Sequence, residues 1–190
     1  SSDVCSSDLD AAQSFGAEQN GKKSCSLTDI ATTSSFPSKP FGCYGDGGAI
    51  FTNNDKLANK IKAIRTHGAN VRHNHWCIGM NGRLDTLQAA ILLAKFEKID
   101  LIMNNRTNGG NLYTKLIKNN NIKCKTPHIL EKNKSVYAQY TILHKNRDEL
   151  KQKLKEKNIP SAIYYPKCLH EQPVYSYLNR SEEHTSELQS

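Results

Sequence analysis

The stretch SSFPSKPFGCYGDGGAIF (residues 34–51) places one lysine, Lys39, between Pro37 and Pro40. Proline fixes its own φ and biases the preceding residue toward extended structure, so we expect a stiff, β-like segment around the lysine. A rigidly mounted, desolvated lysine suits Schiff-base chemistry, because burial favours the neutral amine. Alternatively, a lone lysine is most often a solvated surface charge. Glycines follow at positions 42, 45, 47 and 48. Because glycine has no Cβ, such a segment lets the backbone approach a ligand closely.

The glycine run does not match a nucleotide-binding fingerprint. GxxxxGK[ST] is absent, and the order Gly45, Asp46, Gly47, Gly48 does not fit GxGxxG. A glycine-rich hairpin turn without a ligand is therefore the simplest interpretation of the run by itself.

A second candidate is DAAQ, Asp10 to Gln13. A carboxylate followed three residues later by an amide can present both groups on one side of a turn. The carboxylate would keep a ring nitrogen protonated and the amide would donate to a ring oxygen, which is what a pyridoxal ring requires. The tetrapeptide alone is common by chance.

Two strands and two helices are predicted around these residues. Residues 24–36 and 49–51 are rich in Thr, Ile and Phe and predict short strands joined through the glycine-rich turn, which places Lys39 in a hairpin. A helix is predicted from Asp55, as N-cap, to a stop at Gly68. Another is predicted from Asp85, with a weakened continuation at Gly109 and Gly110.

After Asn121 the pattern changes to β, β, α, β. We expect strands in 122–125, 135–143 and 159–166, and an amphipathic helix in 146–158. This succession is typical of a compact α/β subdomain.

Charge and cysteine content restrict the class of protein. The net charge is +8, but the lysines are scattered or lie on one late helix, and no aromatics interleave with them, which favours solvated lysine faces over nucleic-acid binding. There is no CxxC pair, signal peptide or membrane-length apolar run, so we expect free thiols and a cytoplasmic protein without membrane association. The stretch HNHWC, 73–77, offers ligand types for zinc but matches compact zinc patterns poorly.

Five blocks together resemble the DegT/DnrJ/EryC1/StrS family of pyridoxal-phosphate sugar aminotransferases. They are DAAQSFGA, TSSFPSKPFGCYGDGGAIF, IRTHG, GMNGRLDTLQAAIL and IPSAIYYPKCLHEQPVY, in the order and spacing of that family. The resemblance covers nearly all of residues 10–179, and it implies an α/β fold of the fold-type-I, aspartate aminotransferase-like class, truncated at both ends.

The resemblance also implies roles for the cofactor-binding residues. Lys39 would be the catalytic lysine, bound to pyridoxal 5'-phosphate as an internal aldimine and shuttling the proton. Asp10 would pair with the pyridine nitrogen, and Gln13 would lie against the ring and its phenolic oxygen. Ser34 would bind the phosphate. Because family members are dimers with shared sites, Asn81 would reach the cofactor of the partner.

For the substrate, the resemblance implies L-glutamate as amino donor and a nucleotide-linked keto-sugar as acceptor. SKPFGCYGDGGAIF is similar to enzymes that aminate a UDP-linked 3-oxo-hexuronic acid. Arg83 would suit its carboxylate or diphosphate, and Tyr164 would contact substrate, although many relatives have histidine there. Ser35 also departs from the family pattern, which usually has phenylalanine.

The expected organisation has four parts. Residues 1–9 and 180–190 lack apolar periodicity, look like translated adapter DNA and are set aside. Residues 10–103 would be the C-terminal part of the large cofactor-binding domain, and 104–179 part of the small domain. With the rest of the cofactor site missing, we expect this polypeptide alone to be inactive. A non-catalytic basic binding protein or regulator of the same fold is the alternative function.

Overall fold

The computed structural model describes residues 8–178 and divides the chain into two compact units, with the boundary between Leu143 and His144. The elements of the first unit, in chain order, are β1 (Asp8–Asp10), β2 (Glu18–Gln19), β3 (Lys22–Lys23), a 3-10 turn (Ser24–Ser26), β4 (Ile30–Ser34), β5 (Gly48–Phe51), α1 (Asp55–Arg65), β6 (Ala69–Val71), β7 (Asn74–His75), α2 (Thr86–Phe96), α3 (Ile99–Asn119) and β8 (Asn133–Lys134). The second unit contains α4 (Arg147–Glu156) and 3-10 turns at Leu169–Glu171 and Pro173–Leu178.

A three-stranded sheet in the order β1, β4, β5 organises the first unit. Strand β1 runs parallel to β4, with Asp10 opposite Thr32, and β4 runs antiparallel to β5, with Ser34 opposite Gly48. The connection between β4 and β5 contains Lys39, so the predicted hairpin is confirmed. Strand β1 begins at Asp8, so the expected tail 1–9 overlaps the sheet at its last two residues; the rest of that tail and the tail 180–190 lie outside the described residues.

The two faces of this sheet differ. Ala31 is fully buried, and Leu9 lies beside it on the same face. Because side chains alternate along a strand, Asp10, Thr32 and Ser34 share the opposite face, where Asp10 and Thr32 are exposed. The polar candidates thus lie on the accessible side of the sheet.

Helix α1 begins one residue earlier than predicted. Its N-cap is Asn54 rather than Asp55, because the Asn54 side-chain oxygen accepts hydrogen bonds from the backbone N–H groups of Lys56 (3.0 Å) and Leu57 (3.2 Å). These bonds satisfy donors that have no partner within the helix.

Replacing Asn54 with alanine is expected to lower the free energy of unfolding by about 1 kcal/mol, because two N–H groups lose their acceptor. Urea unfolding followed by circular dichroism measures this loss. Asn53→Ala is the matched control, since Asn53 is exposed and does not cap the helix. Equal destabilisation by both substitutions would contradict the capping assignment.

Helix α3 is continuous from Ile99 to Asn119, through the expected domain boundary at 103/104 and through both glycines. The chain divides later because residues 135–138 pack on this helix. The Arg106 guanidinium donates to the carbonyls of Val136 (3.2 Å), Tyr137 (3.2 Å) and Ala138 (2.9 Å). Gly110 leaves room for the Tyr137 ring, which would lie 2.2 Å from a Cβ at that position.

None of the three expected strands forms, and residues 122–125 contribute only Lys125 to an isolated bridge. Residues 135–143 make one isolated bridge, Lys125 with Leu143, since the carbonyls of 136–138 are bonded to Arg106 and Tyr137 has a positive φ of 43°. Residues 159–166, in the second unit, are also not assigned to a strand. The helix expected in 146–158 is present as α4.

Candidate active site

The carboxyl ends of the two parallel strands carry the first two candidates. Asp10 is the last residue of β1, and Ser34 the last of β4. Oδ1 of Asp10 accepts a hydrogen bond from the N–H of Ala12 (2.9 Å), and Oγ of Ser34 accepts one from the N–H of Phe36 (3.2 Å). Both side chains keep capacity for a ligand at this edge, which is where α/β sheets bind ligands.

Lys39 lies on a tight turn rather than in the extended segment predicted from its prolines. The N–H of Lys39 donates to the carbonyl of Phe36 (2.9 Å), closing a four-residue turn with Pro37 at its second position. The φ fixed by proline suits that position of a β-turn as well as it suits a strand, so the turn is compatible with the sequence. Within residues 8–178 the half-buried Lys39 ammonium makes no hydrogen bond or salt bridge.

Glycine is required behind this turn. A Cβ on Gly42 would lie 2.6 Å from the carbonyl oxygens of Phe36 and Pro37, and a Cβ on Gly48 would lie 2.6 Å from that of Thr33. Real side chains do not tolerate such distances, so the hairpin connection folds onto itself only with glycine at these positions.

A buried thiol holds the middle of the connection. Cys43, 1% exposed, donates through its N–H to the carbonyl of Ser35 (2.8 Å), and its Sγ contacts the carbonyl oxygens of Ser35 (3.0 Å) and Gly45 (3.2 Å). Ser35 is itself 3% exposed and donates its N–H to Gly47 (2.7 Å).

Four phenylalanines support the same region. The Phe15 ring stacks on Phe41, with centroids 5.4 Å apart, and lies 6.2 Å from Phe51, while Phe41 meets Phe96 of α2 edge to face at 6.2 Å. Such ring pairs add to the stability gained from burial alone. They join the turn after β1, the Lys39 connection and α2.

Gln13 lies in the turn that follows β1, and its side chain is exposed. The turn is fixed by its backbone, since the carbonyl of Ala11 accepts from the N–H of Ser14 (3.1 Å) and from Oγ1 of Thr33 (3.2 Å). Gln13 therefore shares the edge of the sheet with Asp10, and no hydrogen bond joins it to Lys39 within the described range.

Asn81 and Arg83 lie next to each other just before α2. Nε of Arg83 donates to Oδ1 of Asn81 (3.0 Å), and a backbone bridge joins Asn81 to Thr66. Both side chains are exposed. Tyr164 belongs to the second unit, where it is 57% exposed and its ring packs on Tyr165.

The histidine-rich stretch forms a short hairpin of β6 and β7, in which Nδ1 of His75 lies 2.8 Å from the carbonyl oxygen of His67. Across residues 8–178, no three His, Cys, Asp or Glu side chains come together as a metal site. None of the helices described here is both long and apolar enough to cross a membrane.

The donor set at the sheet edge fits pyridoxal phosphate. The Asp10 carboxylate suits a protonated ring nitrogen, the Ser34 hydroxyl suits a phosphate oxygen, and the Lys39 amine, free of protein partners in the described residues, suits the aldehyde carbon. All three come from β1, β4 and the connection that leaves β4.

Two residues that contact this region were not predicted from the sequence. Gln88 and Lys95, both on α2, bond to the backbone of the connection that carries Lys39. The contact of Lys95 could have been inferred from the sequence, because Lys95 interrupts an apolar helical stripe and a lysine there needs an acceptor. The contact of Gln88 had no such signal.

Comparison with known proteins identifies relatives along almost the whole chain. Residues 9–189 match the model of the DegT/DnrJ/EryC1/StrS aminotransferase family. A UDP-2-acetamido-2-deoxy-3-oxo-D-glucuronate aminotransferase of Pseudomonas aeruginosa is 51% identical over 87% of this chain and 45% of the relative. A protein of Geobacillus stearothermophilus named pleiotropic regulatory protein is 44% identical over 91% of this chain and 47% of its own length.

Solved structures give the same result. An aminotransferase of this family from Brucella abortus superposes with a TM-score of 0.84, at 39% identity, over 90% of this chain and 45% of the other. NtdA of Bacillus subtilis, solved with bound cofactor PMP, has a TM-score of 0.72 at 28% identity, over 86% of this chain and 40% of the other. The expected fold-type-I class is confirmed, and the chain spans about half the length of the relatives it matches.

Proposed function

The chain belongs to the DegT/DnrJ/EryC1/StrS aminotransferase family, and we propose that the protein is a pyridoxal-phosphate-dependent aminotransferase. It would transfer the amino group of L-glutamate to a keto group on a nucleotide-linked sugar. The observation that carries the proposal is the position of Lys39. It lies on a turn that follows β4, whose last residue, Ser34, is at the same end of the sheet as Asp10.

Each of these residues has one task in the proposed reaction. The cofactor, when bound, supplies a ring that withdraws electrons from the carbon that loses its proton. Oδ of Asp10 holds the proton on the ring nitrogen, and Oγ of Ser34 donates to the phosphate. Nζ of Lys39 accepts the proton from the donor's α-carbon and later delivers it, as a positioned general base and acid. The side chain of Gln13 would lie against the ring.

For the sugar, the 51% identical relative is named for a UDP-linked 3-oxo-glucuronate. We propose a substrate of that class, used for amino sugars of surface polysaccharide. The guanidinium of Arg83 is exposed beside Asn81 and suits a carboxylate or a diphosphate, which it can bind through two parallel hydrogen bonds. We propose Tyr164 as a further substrate contact.

A homodimer with shared sites is part of the proposal, with Asn81 and Arg83 reaching the partner's cofactor and substrate. The surface near these residues supports it. Leu87 and Leu93 of α2 are 78% and 70% exposed, and Ile78, in the preceding loop, is 97% exposed. Large apolar side chains exposed on α2 and in the loop before it are typical of an interaction surface. We place the enzyme in the cytoplasm, where nucleotide sugars are made and thiols stay reduced.

A regulator of the same fold is the second candidate, favoured by the name of the 44% identical relative. It differs from the enzyme in one measurable respect. In an aminotransferase, an added amino donor must break the covalent bond between the lysine and the cofactor, because the amino group passes to the cofactor. In a regulator, that bond would stay intact. The position of Lys39 on a turn packed against glycine supports the enzyme.

The test is borohydride trapping on the full-length protein incubated with pyridoxal phosphate, followed by peptide mapping. We expect one reduced adduct, on Lys39, that is lost when L-glutamate is added before the borohydride. The exposed Lys60 of α1 serves as the internal control. An adduct that glutamate does not remove would favour the regulator, and an adduct confined to other lysines would overturn both the site and the function.

A further inference from the structure

One face of α2, together with Leu84 in the loop that precedes it, contacts the connection that carries Lys39. Gln88 and Lys95 are seven residues apart on α2, so they lie on the same side of the helix, and Leu84 comes just before the N-cap Asp85. The three meet successive parts of the connection. The side chain of Leu84 packs at Gly47, that of Gln88 at Gly45 and Tyr44, and that of Lys95 at Gly42.

Gln88 fixes the second half of the connection. Its Oε1 accepts the backbone N–H of Tyr44 at 2.8 Å, and its Nε2 lies 3.0 Å from where a Cβ on Gly45 would be. Tyr44 is 78% exposed, so water would compete for this N–H if the helix did not supply an acceptor.

Lys95 fixes the first half. Its ammonium donates to the carbonyl oxygen of Gly42. The Cα of Gly42 lies against the carbonyls of Phe36 and Pro37, which belong to the turn that Lys39 closes. A continuous set of contacts therefore leads from α2, through Gly42, to the lysine.

We propose that Gln88 and Lys95 are positioning residues for Lys39: they hold the turn by its backbone and so set the direction of the Lys39 amine. This inference rests on the proposed function for its catalytic meaning, but the placement of the amine is measurable without cofactor. Neither side chain would touch the reacting atoms. Their loss would move the lysine while leaving its chemistry intact.

The experiment uses the full-length protein with substitution pairs. Gln88→Leu removes the acceptor and Gln88→Glu keeps it; Lys95→Met removes the donor and Lys95→Arg keeps it. The control is Lys98→Met, since Lys98 is exposed and does not bond to the connection. Two quantities are measured. The first is the acetylation rate of Lys39 relative to that of Lys60 in cofactor-free protein, and the second is the rate at which Lys39 forms the borohydride-trapped adduct with pyridoxal phosphate.

We expect Gln88→Leu and Lys95→Met each to raise the relative acetylation rate of Lys39 by about 3- to 10-fold, the effect of one lost hydrogen bond, and to slow adduct formation by a similar factor. Gln88→Glu, Lys95→Arg and Lys98→Met should stay near wild type. Unchanged acetylation in both disruptive variants would overturn the inference. If wild-type Lys39 forms no adduct, the proposed function fails, and the acetylation ratios still decide the positioning role.

Discussion

Replacing Lys39 with alanine is expected to lower the rate of the glutamate-dependent half-reaction by about 10²- to 10⁴-fold, the range for loss of a positioned acid–base group. Lys39→Arg should fail as well, because a guanidinium keeps the charge but does not give up its proton. The measurement is stopped-flow absorbance of the cofactor band after glutamate is added to the full-length protein.

Stability should not follow activity in these variants. In the part of the chain that the structure describes, the Lys39 ammonium has no bonded partner, so its loss should change the free energy of unfolding by less than about 0.5 kcal/mol. Lys60→Ala, on the exposed side of α1, is the control and should keep full activity. Turnover retained by Lys39→Ala would refute the assignment of the lysine.

The largest effect on stability is expected for Gly42→Ala. The new methyl group would lie 2.6 Å from two carbonyl oxygens of the Lys39 turn, so the turn has to shift, at a cost of about 1–3 kcal/mol. The same shift should slow formation of the Lys39 adduct. Urea unfolding and borohydride trapping of the full-length protein measure the two consequences.

Gly109→Ala is the matched control, since a Cβ there meets nothing within 4 Å and the position is inside α3. It should raise the free energy of unfolding by about 0.5–1 kcal/mol, because alanine loses less conformational freedom than glycine in a helix. If both substitutions destabilise equally, the cost at Gly42 is a general effect of replacing glycine, and the close-packed turn is wrong.

The hairpin around Lys39 and the start of α2 were predictable from the sequence because they depend on local signals: glycines, prolines and apolar spacing. The conformation of the turn was not, because proline at 37 suits two backbone geometries and only the hydrogen bond from Lys39 to Phe36 selects one. Short-range preference thus located the lysine without fixing its direction.

The strand expected in 135–143 failed for a different reason. The alternation of apolar residues there was real, and Val136 is 1% exposed, but the backbone carbonyls found a partner in Arg106, about thirty residues away in the chain. A pattern of side chains does not reveal which group will satisfy the main chain. The contact of Gln88 was unpredictable for the same reason, since its partner is a backbone N–H.

The Arg106 contact also has a kinetic consequence. Three successive carbonyls, at positions 136 to 138, accept hydrogen bonds from one guanidinium. These hydrogen bonds therefore do not break independently, as the separate hydrogen bonds between two paired strands can. Rotation of a single side chain releases all of them together. The backbone of residues 136–138 should therefore become susceptible to protease in one cooperative step when Arg106 rotates away, while Ser135 stays bonded to Thr107 and the hydrogen bonds of α3 remain closed.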